Sequence, residues 1–114
     1  MTSLYGIANC DTIKKARKWL TEQGIEYQFH DYKKHGVPEN ELKKWIKDLS
    51  WEALLNKRGT TWRKLDEATK ESVDEQSAIK IMLDNPSIIK RPVLDFNGQL
   101  ILGFKTDIYT QIFK

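Results

Sequence analysis

The sequence predicts an α/β chain in which a βαβ unit, a helical insertion and a ββα unit share one mixed sheet. Three observations carry this. Two strand-like runs flank an amphipathic helical stretch in the first part of the chain. Helical patterning then fills about residues 38–85. Near the end, an Asn97-Gly98 turn separates two apolar runs, and a further helical stretch follows.

Residues 3–7, SLYGI, form a short apolar run that reads as a buried strand. Residues 8–11, ANCD, are turn-like. A helix is expected from Asp11 or Thr12, either of which suits the N-cap. Ile13, Ala16 and Leu20 share one face, with Trp19 a candidate for it. Lys14, Lys15, Arg17, Lys18 and Glu22 point away. Gly24 ends the helix as a left-handed C′ residue would. The run EYQFHDY is rich in aromatics and reads as a second strand, with Tyr27, Phe29 and Asp31 on one side and Gln28, His30 and Tyr32 on the other. Strand, helix and strand at this spacing make the two strands parallel.

His35-Gly36-Val37-Pro38 is a loop, and a helix begins at Pro38 and Glu39. Leu42, Trp45, Ile46 and Leu49 then recur at helical spacing. A short helical piece, WEALLN, follows, and KRGTTWRK is a loop or broken turn. A third helix spans about Asp74 to Asp84, burying Ala78, Ile79, Met82 and Leu83, and stops at Asn85-Pro86. IIKRPVLDF is an apolar, β-branched run interrupted by Arg91-Pro92. Asn97-Gly98 is a strong hairpin signal, and QLILGF is the return strand. TDIYTQIF closes the chain as a helix capped by Thr106 or Asp107. No repeat, linker or low-complexity tract divides residues 1–114, so a single domain is expected, with the insertion at about 38–85.

Composition narrows the function. Hydrophobic residues make up 39% and charged residues 31%, the balance of a globular chain with one core. No apolar run approaches the roughly 20 residues of a membrane helix. The N-terminus shows no basic region followed by a long apolar stretch, so a cytoplasmic location without membrane partners is expected. The net charge of +3 is dispersed, with acidic residues breaking up even KKHGVPENELKKWIK, so no direct nucleic-acid partner is expected. A single Cys cannot form an internal disulfide. With two His and no HExxH or CxxC spacing, neither a metal centre nor a bound cofactor is expected. Nothing demands a dimer, and a monomer is expected.

A βαβ unit joined to a ββα unit is how a thioredoxin-like sheet is assembled. Ligands on such sheets gather where parallel strands end and helices begin. Cys10 falls at that place. Unpaired N–H groups of the first helical turn and the helix dipole favour thiolate over thiol there. Lys14, one turn on, adds to the field, while Asn9, Thr12 and the helix N-terminus supply amide or backbone donors. Arg91-Pro92 is the second feature. Most X-Pro bonds are trans, and only the fold favours cis here. In the cis form Arg91 would aim its planar fork at an anionic group beside Cys10.

YGIANCDTIKKARKWL, IEYQFHDYKK, LLNKRGTTWRKL and IKIMLDNPSIIKRPVL resemble the ArsC/Spx family, most nearly its YffB-like branch of reductases, over essentially the whole chain. The resemblance implies a thioredoxin-like domain with a helical insertion, a reactive Cys10, an anion-binding Arg91 and a cis Pro92. Arsenate reductases of this family place further arginines in an LLRK-like segment and just before the last helix, and a His four residues before the Cys. Here those positions hold Asn56, with Arg58 two residues on; Phe104, with Lys105 adjacent; and Gly6. Regulators of the Spx branch usually carry CxxC, whereas Cys10-Asp11-Thr12-Ile13 excludes an internal redox switch.

The main expectation is a glutathione-dependent thiol reductase acting on a small-molecule or protein disulfide. A solitary Cys needs a second thiol from outside, and glutathione is the abundant one. Glutathione would then be a co-substrate, with a carboxylate held by Arg91 and by Arg58 or Lys105. Arsenate reduction at the same Cys10 and Arg91 is the second expectation. The third is an Spx-like regulator that binds RNA polymerase through Trp51 and Trp62. His30 and His35 receive no role.

Overall fold

The computed structural model describes residues 2–113. Along the chain run β1 (Thr2–Gly6), α1 (Asp11–Glu22), β2 (Gln28–Asp31), α2 (Tyr32–His35), α3 (Glu39–Leu49), α4 (Trp51–Leu54), α5 (Thr60–Arg63), α6 (Glu67–Glu71), α7 (Glu75–Asp84), β3 (Val93–Phe96), β4 (Gln99–Leu102) and α8 (Thr106–Ile112). Two compact units result. One comprises the chain up to Tyr32 and from Arg91 onward, and the other is Lys33–Lys90. The helical segment expected over about 38–85 lies inside the second unit.

The first unit is built on a four-stranded sheet in the order β2-β1-β3-β4. β1 pairs with β2 in parallel, with Gly6 opposite Asp31, and antiparallel with β3, with Tyr5 opposite Val93. β3 and β4 form the antiparallel hairpin. Its turn residues Asn97 (φ 52°) and Gly98 (φ 92°) are both left-handed, as a two-residue turn matched to strand twist requires. Asp95 Oδ1 accepts the Gly98 N–H at 2.9 Å. With α1 connecting β1 to β2 and α8 after β4, this is the expected thioredoxin-like mixed α/β architecture.

Helix α1 buries Ile13, Ala16 and Leu20 completely, as the periodicity required. Its end is a Schellman motif. Gly24 N–H donates to Thr21 C=O and Ile25 N–H to Leu20 C=O, both at 3.0 Å, around Gly24 at φ 69°. Two details differ from expectation. The N-cap is Cys10 rather than Asp11 or Thr12: Cys10 is extended (φ −83°, ψ 132°), while its carbonyl already accepts the Lys14 N–H at 3.0 Å. Arg17 does not point away. Its guanidinium lies 4.3 Å from the Phe29 ring centre, and its Nε donates to the Tyr27 hydroxyl at 3.1 Å, because an arginine stem can cover apolar surface.

Helix α8 closes the same core. Tyr109 is fully buried beside Leu4, Ala16, Leu20 and Leu94, and Trp19 packs edge-on against it at 5.6 Å between ring centres. The N-cap of α8 is Lys105, not Thr106 or Asp107; its backbone is extended and its carbonyl accepts the Tyr109 N–H.

The second unit is helical. Leu42, Trp45 and Ile46 of α3 are buried, as are Ala78, Ile81 and Met82 of α7. Ile79 and Leu83, expected in that core, are half-buried, and Ile81 takes the inward position. Asp74 caps α7 through a capping box with Ser77. The expected loop KRGTTWRK contains the single turn α5, and α6 follows it. The run IIKRPVLDF breaks at Arg91-Pro92, as expected. Ile89 bridges to Leu55 in the second unit, and β3 begins only at Val93. EYQFHDY likewise splits, with Tyr32 leaving the strand to open α2.

Candidate functional site

Tyr5 opposite Val93 is the last register pair between β1 and β3. Just past it, Arg91 Cβ lies 4.0 Å from the position a Cβ on Gly6 would take. Ile7 C=O accepts the Cys10 N–H at 3.1 Å, which turns the chain into α1. The strand register therefore places Arg91 beside Cys10. The Arg91-Pro92 bond is cis, and the buried Pro92 is tied to β4 through its carbonyl, which accepts the Gly103 N–H at 2.9 Å.

Gly6 makes room for the Ile13 side chain. A Cβ there would collide with the Ile13 side chain, with Cγ1 at 3.0 Å, and would meet Arg91 Cβ at 4.0 Å. Ile13 has no exposed surface into which to retreat. Gly6→Ala is expected to cost about 1–3 kcal/mol, read as a lower urea midpoint with an unchanged slope. The position at which arsenate reductases carry a His is thus closed to a side chain here.

Cys10 is half-buried. Partial burial pushes its thiol up, but this is outweighed by the Ile13 N–H, the Arg91 side chain, the Thr12 N–H and the Arg91 charge, so its pKa is held below the ordinary thiol range. Thr12 and Ile13 are the second and third residues of α1, and their amides have no partner within the helix. The neutral thiol closes no capping hydrogen bond with them. A thiolate is the acceptor they favour.

Alkylation of Cys10 by iodoacetamide is accordingly expected to show a pH midpoint below that of an ordinary thiol such as free glutathione. Stability follows the same sign. A thiol lowered on folding contributes stability above the ordinary thiol range, and this is lost as the pH falls through the folded midpoint. Urea midpoints of the protein and its Cys10→Ser variant, compared across that range, measure the contribution. A midpoint at or above the ordinary value would contradict this electrostatic account.

Arg91 and the Thr12 amide thus join Cys10, with Pro92 behind them. Asn9 is exposed in the turn before Cys10. Lys14 and Lys105 are exposed as well, and the charge acting on the thiol is that of Arg91. Arg58 belongs to the second unit, where its N–H donates to Asn56 Oδ1 at 3.0 Å. Phe104, half-buried, packs edge-on against Trp19 and Tyr109 at the margin of the core, at the position where the resemblance implies an arginine in arsenate reductases. Trp51 and Trp62 are half-buried, with the Lys57 amine 6.0 and 5.4 Å from their ring centres. Among the described residues, no group of three or more His, Cys, Asp and Glu could hold a metal ion.

Sequence reasoning missed Tyr32. It is 2% exposed, and its hydroxyl has no hydrogen-bond partner among the described residues. Its ring meets His30 edge-on at 6.1 Å, and His30 in turn meets Tyr5 at 5.4 Å. The sequence held no signal for this beyond Tyr32 lying at the end of a strand.

The chain matches the ArsC family over residues 5–112. An uncharacterized protein of Haemophilus influenzae is 43% identical, with 99% of each chain covered. A solved YFFB protein is 50% identical and superposes with a TM-score of 0.92 over 97% of each chain. An arsenate reductase (ArsC) related protein from Brucella melitensis is 51% identical, with a TM-score of 0.78 over 99% of this chain and 94% of that one. The matched span takes in Cys10, Arg91 and Pro92 together with every strand of the sheet but the first few residues of β1, and on that evidence the chain belongs to the ArsC family.

Proposed function

We propose that the protein is an oxidoreductase of the glutathione-dependent thiol type, with Cys10 as its nucleophile. The observation that carries this reading is the environment of Cys10: a thiol at the start of α1, lowered by two backbone amides and by Arg91. The thiolate attacks the glutathionyl sulfur of a mixed disulfide. A Cys10–glutathione disulfide forms as the substrate S–S bond breaks, and the substrate leaves as a thiolate that takes up a proton. A second glutathione thiolate then attacks the glutathionyl sulfur on Cys10. Oxidised glutathione departs and the Cys10 thiolate returns. One mixed disulfide and one glutathione become one free thiol and one oxidised glutathione, so electrons balance with no second protein cysteine.

Arg91 serves both partners in this scheme. Its charge holds Cys10 ionised, and its planar fork suits a glutathione carboxylate. The relation to an arsenate reductase related protein supports thiol chemistry at this position. The closed site at Gly6 and the packing role of Phe104 favour a disulfide over an oxyanion as the oxidised substrate. A cytoplasmic glutathione pool suits the reaction, and among the described residues no helix is long and apolar enough to cross a membrane.

The test is turnover of the glutathione–mercaptoethanol mixed disulfide, coupled to glutathione reductase. A rate above the uncatalysed exchange, saturable in the mixed disulfide, is expected. A rate equal to the uncatalysed one removes the proposal.

A further inference from the structure

β1 ends at Gly6, and α1, which carries Cys10 at its start, rests on that end through Ile13. The Ile13 side chain occupies the place of a side chain on residue 6. A Cβ on Gly6 would overlap Ile13 Cδ1 and lie 3.0 Å from Cγ1. Gly6 lies outside the left-handed region, so its missing side chain serves close approach rather than backbone freedom. Ile13 has no exposed surface, and the seat on Gly6 is filled.

The groups that act on the thiol meet at this seat. The Ile13 N–H belongs to the first turn of α1 and favours the Cys10 thiolate. Arg91 arrives on a different part of the chain, two residues before β3. Its Cβ lies 4.0 Å from the same Cβ position on Gly6, in ordinary contact range, and its side chain reaches Cys10. The first-turn amides travel with Cys10 if α1 shifts, because all of them belong to one helix. Arg91 does not. In a close-packed interior, the seat of one side chain is enough to set such a separation.

We infer that Ile13 is a positioning residue of the Cys10 site: seated on the bare Cα of Gly6, it holds the first turn of α1 against the strand end at which Arg91 stands, and so fixes the reach of the Arg91 side chain to the Cys10 sulfur. The inference rests on the reading of Cys10 as the reacting thiolate. Its test reads ionisation rather than turnover, so the two fail separately.

The test is the pH midpoint of Cys10 alkylation by iodoacetamide in variants of the seat. Gly6→Ala drives a methyl into it and is expected to raise the midpoint by about half a pH unit, about threefold in the ionisation constant. Ile13→Val deletes Cδ1 and loosens the seat without filling it, and a rise of about twofold in the same constant is expected. Combined, the two substitutions put the new methyl where Cδ1 was. The double variant is expected to recover more than half of the Gly6→Ala shift. In an Arg91→Ala background, Gly6→Ala is expected to leave the midpoint where Arg91→Ala alone puts it. Ile88→Val removes the same methyl from a residue 1% exposed in the second unit. It is expected to lower the urea midpoint and leave the alkylation midpoint unchanged.

An alkylation midpoint unmoved in either single seat variant that folds would overturn the inference. So would a shift of full size in the Arg91→Ala background, which would place the effect in the α1 amides, or a shift in Ile88→Val, which would make it a general consequence of lost stability.

Discussion

Cys10→Ser is expected to reduce glutathione-dependent turnover by at least about three orders of magnitude, to the uncatalysed rate, while leaving the fold, below the pH at which Cys10 ionises, as stable as before or more so. The loss follows from chemistry. A serine forms no disulfide with glutathione, and its hydroxyl stays protonated where the thiol ionises. The retained stability follows from geometry. Residue 10 is the N-cap of α1, and serine is among the best N-caps because its oxygen accepts from the second or third amide of the helix. Those are the Thr12 and Ile13 amides that stabilise the thiolate. The cap would contribute up to about 1 kcal/mol that the neutral thiol does not. Turnover and urea midpoint measured on one preparation separate the two effects. A variant that is inactive because it is unfolded, or active because Cys10 is a bystander, would contradict this account.

Arg91→Ala is expected to raise the Cys10 alkylation midpoint toward the ordinary thiol value and to lower turnover by about 10- to 100-fold. That range corresponds to one hydrogen bond to a charged group, removed from a half-buried site. The Ile13 and Thr12 amides remain in place and oppose that rise. Arg91→Lys restores the charge without the planar fork. It is expected to recover much of the midpoint shift and less of the substrate affinity. Rates of alkylation against pH, with KM and kcat for the three proteins, check the order. Equal midpoints in Arg91→Ala and the parent would show that the α1 amides act alone.

The legible parts of this chain are those written in local pattern. Ile13, Ala16 and Leu20 recur on one helical face, and Gly24 stands where the Schellman turn needs it. Asn97-Gly98 sets the hairpin by itself, since both residues tolerate the left-handed backbone the turn demands. Helices α5 and α6 were not legible, because four and five residues are too few to show a repeating face. Their stability comes from particular bonds, such as Asp66 Oδ1 accepting the Thr69 N–H at 2.7 Å and the Lys70 amine donating to the Arg63 carbonyl at 3.1 Å. The partners of the two halves of IIKRPVLDF, on either side of the expected break at Arg91-Pro92, are not legible for a related reason. Apolar residues flank Lys90-Arg91 on both sides, yet Ile89 and Val93 pair in different units. Hydrophobicity records that a residue is buried and says nothing of which partner buries it.

By itself, the sequence determined that this chain has one thiol, that it sits where a strand turns into an amphipathic helix, and that any second thiol must come from another molecule. It also marked Arg91-Pro92 as the second feature of the site. Tertiary structure alone decided the rest. Cys10 caps α1, Gly6 leaves room for Ile13, and Tyr32 keeps a buried hydroxyl at the same end of the sheet. The physical reason is range. Caps, turns and helical faces depend on residues a few positions apart, whereas the thiolate depends on a charge brought to it by pairing between strands at opposite ends of the chain.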